Sequence, residues 1–252
     1  MLWNVGLARI KSRLNTETKL TETHISSNEP TVTTPTLYSI NTPDNQGLRS
    51  VNDRVGAKVR YTYLSGKLRV EHKNFGDKQS SATVTMYIIW LKNGEFKDEF
   101  EADFASYILN PDQNNQYSPL SYFNKTKYNS WIATYKKQLT CRDLIPVNQV
   151  AMGLPTDTGG TPGNDTLTTL GKAPQAKYYY VEFNKKISVR GEWNNTLSTS
   201  GDTDEISRMV PYLFTITDCP GQAVPSGNTL PDSTLNDKIN IQGTIRLSYV
   251  DN

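Results

Sequence analysis

The 252-residue chain carries 27 Lys/Arg against 25 Asp/Glu, a formal net charge of +2, with 36% hydrophobic residues, 10% aromatics and two cysteines. This composition excludes wholesale disorder, and the length is enough for one sizeable core of the kind a single large all-β domain builds. No stretch reaches the roughly eighteen apolar residues that a membrane-spanning helix needs.

Charge is uneven along the chain. Met1 to Lys73 hold eleven Lys/Arg against six Asp/Glu, and the remainder holds sixteen against nineteen. A basic first third marks either contact with a polyanion or a solvated basic face. Cys141 and Cys219 are far apart, with no Cys-x-x-Cys and no nearby histidine. That pattern favours free thiols in a reducing compartment over a disulfide framework or a thiolate metal site. The first nine residues lack the charged leader and apolar run of a secretory signal.

In chain order, Trp3, Leu7, Ile10 and Leu14 form one apolar stripe of a short amphipathic helix within residues 1–19, with Arg9, Lys11 and Arg13 between them. The stripe reads as an arm packed beneath the body of the protein, as disordered chain, or as a segment that inserts in an anionic membrane surface. Residues 21–52 are rich in Thr, Ser, Asn and Pro and read as extended chain with one strand at Thr34–Ile40. From Ala57 to Lys73 the alternation puts Val59, Tyr61 and Tyr63 on one face, then Leu68 and Val70 after a phase change. A β-bulge at Gly66 accounts for it and leaves Lys58, Arg60, Lys67 and Arg69 on the opposite face.

Ala82–Leu91 is apolar on both faces and reads as a central strand. Asp98 and Glu101 resemble a capping box, with Phe100, Phe104, Tyr107 and Ile108 on one helical face before Asn110-Pro111. Further strands are predicted at Trp131–Thr140, Lys177–Arg190, Met209–Thr217 and Ile239–Val250, the last alternating almost without fault. Loops at 141–175 and 218–238, rich in Gly, Pro and polar residues, are expected on the outside. With no helices alternating between strands, the sheets must be antiparallel, and long loops favour a Greek-key sandwich or jelly roll.

The run Asn52-Asp53-Arg54-Val55-Gly56-Ala57-Lys58-Val59, the strand Thr85–Trp90, the stretches Asn110-Pro111 and Ser118-Pro119-Leu120, and the closing Ile241–Asn252 together resemble capsid proteins of small circular single-stranded DNA viruses. Coats of plant satellite RNA viruses share these short motifs. The resemblance covers residues 35–252. It implies an arm over 1–33, then a jelly-roll capsid domain over 34–252, with two four-stranded antiparallel sheets and a short helix in a long inter-strand loop. It further implies self-assembly into a small icosahedral shell of about sixty copies, packaging of viral single-stranded DNA, an unidentified host receptor, and residence in the virion and, during assembly, inside the host cell. The first twenty residues depart from the family's dense Arg/Lys arm, holding only Arg9, Lys11, Arg13 and Lys19 against Glu17.

The candidate nucleic-acid-binding residues are Arg9, Lys11, Arg13, Lys58, Arg60, Lys67, Arg69 and Arg246. In a jelly roll the strands bearing the last five would merge their polar faces into one strip that contacts phosphates without reading sequence. Tyr61 and Tyr63 share the phase of Val59 and are expected in the core rather than stacked on bases. The rival reading is a glycan-binding β-sandwich with Tyr178, Tyr180 or Trp193 as the sugar platform. No catalytic motif is present: His24 and His72 stand without a His-Glu-x-x-His, a Gly-x-Ser-x-Gly or a phosphate loop. No cofactor, metal or stable membrane association is expected. Asp218, Asp232 and Asp237 lack the spacing of a calcium loop, and the Asn-x-Thr matches at Asn124, Asn164 and Asn194 carry no weight.

Overall fold

The computed structural model describes residues 18–26, 35–43, 54, 56–74, 81–111, 113, 117, 120–124, 126–142, 175–194, 206–218 and 238–251. Its strands are β1 (Lys19–Ile25), β2 (Thr36–Ser39), β3 (Lys58–Asn74), β4 (Ser81–Leu91), β5 (Trp131–Arg142), β6 (Gln175–Trp193), β7 (Ile206–Arg208), β8 (Val210–Asp218) and β9 (Lys238–Asp251). They form a five-stranded sheet, β1-β9-β3-β6-β7, and a four-stranded sheet, β2-β8-β4-β5.

Every strand pairing is antiparallel, and the pairings nest: β1 with β9, β2 with β8, β3 with β6, β4 with β5. This is one long hairpin wrapped around a core. Additional pairs β3–β9 and β4–β8 join its arms into two sheets. The fold is therefore a jelly-roll sandwich. β7, which among the described residues pairs with Glu192 and Trp193 of β6, makes the first sheet five-stranded instead of four-stranded.

The core lies between the sheets, where Val84, Met86, Ile88 and Trp90 of β4 meet Leu64, Leu68 and Val70 of β3 and Ile241, Ile245 and Leu247 of β9. The opposite face of β4 is also covered. Tyr87, Ile89 and Leu91 bury themselves beneath the β4–β5 connection with Phe100, Tyr107, Ile108 and Trp131. Double coverage explains why the β4 sequence is apolar at consecutive positions.

That connection contains a 3-10 turn (Gly94–Phe96) and two helical segments, Lys97–Ala102 and Phe104–Ile108. The start is capped by Asn93, whose side chain accepts from the Glu95 amide at 3.1 Å, and not by Asp98, which lies inside the first helical segment. Trp131 Nε1 donates to the Tyr107 carbonyl at 3.0 Å, tying the connection to β5.

Three further expectations change. First, β1 lies in the stretch read as arm and unpatterned extended chain, and Lys19 is a strand residue, buried and bonded to Asp251 at 2.8 Å. Its inward positions are Lys19, Thr21, Thr23 and Ile25, so the strand shows little apolar alternation. Neighbouring chain satisfies it instead: Thr21 Oγ1 donates to the Asn41 carbonyl at 2.9 Å, the Asn41 amide to Thr23 Oγ1 at 2.7 Å, and Asn41 Nδ2 to the Glu22 carbonyl at 2.8 Å. Second, with β1 ahead of the strand expected at Thr34–Ile40, the strand at 58–73 is third in order.

Third, the register irregularity of β3 falls between Tyr61 and Tyr63, not at Gly66. Tyr61 stays buried and Tyr63 turns outward, 45% exposed. Gly66 has another role: a Cβ there would lie 2.4 Å from Phe183 Cζ, so its absence makes room for a ring that stacks on Tyr135 at 4.3 Å. Residues 1–17, with the predicted amphipathic stripe, lie outside the described residues.

Candidate nucleic-acid interface

The outer face of the five-stranded sheet is built by alternation. On β3 the outward positions include Lys58, Arg60, Tyr63, Lys67 and Arg69, and on β9 they include Gln242, Thr244 and Arg246. β6 adds Tyr178, Tyr180, Glu182, Lys186, Arg190 and Glu192, while β1 adds Glu22 and His24. The structure thus brings Lys58, Arg60, Lys67, Arg69 and Arg246 onto one face; Arg9, Lys11 and Arg13 lie outside the described residues.

Register then distributes the charge. Lys58 faces Glu192 on β6 and approaches it at 3.4 Å; Arg208 of β7 reaches the same carboxylate at 3.6 Å. Lys67 faces Glu182 at 3.2 Å, and Arg246 Nε donates to Glu22 at 2.5 Å. Arg69 donates to Gln242 Oε1 at 2.5 Å and lies 5.1 Å above the Tyr178 ring. Arg60 is different. Its cross-strand partner is Arg190, and Lys186 sits farther along β6 opposite Tyr63. Among the described residues, Arg60, Arg190 and Lys186 have no acidic partner, and Arg69 has only the Gln242 amide and the Tyr178 ring, so most of the cationic surplus collects at the bulge end of β3.

Sequence pattern alone does not single out Arg190 and Lys186. The alternation of Tyr178, Tyr180 and Glu182 carries a signal, since the same phase continues to Lys186 and Arg190, but only pairing with β3 sets them beside Arg60. Of the aromatics of the rival sugar platform, Tyr178 and Tyr180 are 46% and 74% exposed. Trp193 is buried, with the Arg54 guanidinium 4.8 Å above its ring, so it is excluded from any surface platform. Arg54 also donates to the Gly56 carbonyl at 2.6 Å, which gives Arg54 a structural role at the entry to β3.

The shifted titrations lie away from this face. Burial, then the hydrogen bond to Glu101, pushes the Tyr212 hydroxyl up, and the bond to Glu99, then burial, does so for Tyr107. Burial pushes the Cys141 thiol up to about 11. Among the described residues no cluster of His, Cys, Asp and Glu is arranged to hold a metal ion, and no helix is long and apolar enough to cross a membrane.

This geometry defines a class: an all-β jelly-roll protein with a cation-bearing sheet face. In comparisons with known proteins, no family model and no curated protein matches the chain.

Proposed function

We propose that the chain is a structural coat subunit that assembles with copies of itself into a closed shell and holds single-stranded nucleic acid, DNA by the resemblance, against its five-stranded sheet. The observation that carries this reading is the surplus of positive charge at Arg60, Arg190 and Lys186 on one face of a jelly roll. Lys and Arg on a flat sheet neutralise backbone phosphates without entering a groove, so binding is independent of sequence and weakens with salt. Such work requires no catalytic residues. The shell, its nucleic acid and the location in a virion rest on this reading together.

Size-exclusion chromatography with electron microscopy of the purified chain tests assembly. The expected result is a closed particle in the megadalton range; a stable monomer that binds a neutral oligosaccharide overturns the proposal. Replacing Arg60, Arg190 and Lys186 together by Ser is expected to lower the nucleic acid recovered with the particle while the shell persists. Unchanged recovery would count against the sheet face.

A further inference from the structure

The cationic surplus occupies one end of the outer face; the other end is aromatic. Tyr180 is the more exposed of the two outward-facing tyrosines of β6 and stands in register with Arg69, which in turn faces Gln242 on β9. Beside it lies a depression of about 720 Å³ whose lining includes His24, Lys67, Arg69, Tyr180, Glu182 and Gln242. Its volume falls within the range of about 300–1,000 Å³ typical of small-ligand pockets. Gly243 also lines the depression; its φ is +151°, and a Cβ there would lie 2.1 Å from the Lys67 carbonyl oxygen and 2.8 Å from Leu68 Cα.

We propose that Tyr180 and Tyr178 form a stacking platform for unpaired bases, with one nucleobase seated in the depression beside Tyr180. This rests on the nucleic-acid reading above and specifies it: the ligand must present free base faces, as a single strand does and a duplex does not. The chemistry of the lining fits a base. Arg69 supplies donors, Glu182 acceptors and Gln242 both, so a base edge of either polarity finds partners. Arg69 is held by its bond to Gln242 and its position over Tyr178, so little order remains to be imposed on binding. Lys67 and Glu182 form an exposed pair, with side chains 80% and 68% accessible. Such a pair is weak, and Lys67 exchanges readily to a phosphate. Same-face residues on a strand are about 6.8 Å apart, twice the ~3.4 Å rise per base of a stacked strand. Bases reaching both tyrosines are therefore unstacked from each other, and Arg69 and Lys67 beside them favour an anionic strand over a neutral sugar.

The test titrates unassembled full-length subunits with four probes: an oligothymidylate, an abasic strand of equal length and charge, a duplex of equal length and a neutral oligosaccharide. Tyr180→Ala is expected to weaken oligothymidylate binding about tenfold and leave the abasic strand unaffected; Tyr180→Phe keeps wild-type affinity. Arg60→Ser should weaken both strands equally. Stacking also quenches tyrosine emission with oligothymidylate alone. Equal wild-type affinity for the two strands, with Tyr180→Ala silent, overturns the platform while leaving phosphate binding intact. An effect of Tyr180→Ala confined to the oligosaccharide overturns it in favour of a sugar site. Failure of the wild type to bind any strand overturns the nucleic-acid reading itself.

Discussion

Arg60 and Arg190 stand directly opposite each other on adjacent antiparallel strands, both on the exposed face of the five-stranded sheet. Like charges at directly opposed positions destabilise a sheet, and the acid nearest in register, Glu192, is already approached by Lys58 and Arg208. A folding requirement does not explain such a pair, whereas a polyanion laid across the two strands compensates both charges at once.

Stability and binding should consequently move in opposite directions at this site. Arg190→Glu turns the like pair into a cross-strand ion pair and is expected to stabilise the fold by about 0.2–1 kcal/mol. On the proposed function it is also expected to weaken binding of a single-stranded oligonucleotide, with the slope of log affinity against log salt falling by about 0.7 for each phosphate no longer neutralised. Denaturant midpoints and salt titrations of wild type and variant check the two halves separately.

Gly243 has a positive φ inside a strand that is otherwise regular, and a Cβ there would meet the Lys67 carbonyl oxygen at 2.1 Å and Leu68 Cα at 2.8 Å. Both obstacles are backbone atoms of β3, which cannot swing aside. Gly243→Ala is expected to cost about 2 kcal/mol or more, read as a fall in Tm. A Tm within experimental error of wild type would show that the backbone around Gly243 can readjust.

Trp131 ties the β4–β5 connection to the sheet through its buried indole N–H and the Tyr107 carbonyl. Trp131→Phe keeps an aromatic ring but removes the donor, at an expected cost of about 1–3 kcal/mol. The damage should be local first, with limited proteolysis cutting the connection sooner than any strand. Unaltered cleavage kinetics would argue that the apolar packing alone holds it.

Alkaline pH tests the buried thiol. Because burial raises Cys141 from about 9 to about 11 in the folded state, the native protein keeps a proton that the unfolded chain releases in that interval. The associated stability is complete below the unfolded value and is lost as pH rises towards 11; Tyr107 and Tyr212, also raised, act in the same direction. Cys141→Ala should lose stability less steeply than wild type across this window. Parallel pH profiles from denaturant unfolding would contradict the assignment.

Legibility in the sequence follows how each strand meets its sources of burial. β9 alternates cleanly because one face meets the core and the other lies open, and β4 is continuously apolar because the helical connection covers its second face. β1 is hard to see in the sequence because its inward threonines are satisfied by Asn41 through hydrogen bonds, not by apolar packing. The phase change in β3 is visible, but its place is not. A glycine is the natural site for a bulge, which points to Gly66, whereas the irregularity lies earlier in the strand, leaves Tyr61 buried and puts Tyr63 beside the cations.

Composition and alternation by themselves determined that the chain forms antiparallel sheets, which strands are amphipathic, and that Lys58, Arg60, Lys67, Arg69 and Arg246 avoid the core. These are properties of one strand at a time, governed by a period of two and by the cost of burying charge. Only the tertiary structure decided which cations are neutralised, because neutralisation depends on the residue across the ladder, and register is set by distant segments packing together. It paired Lys58 with Glu192, Lys67 with Glu182 and Arg246 with Glu22, and it set Arg60 against Arg190.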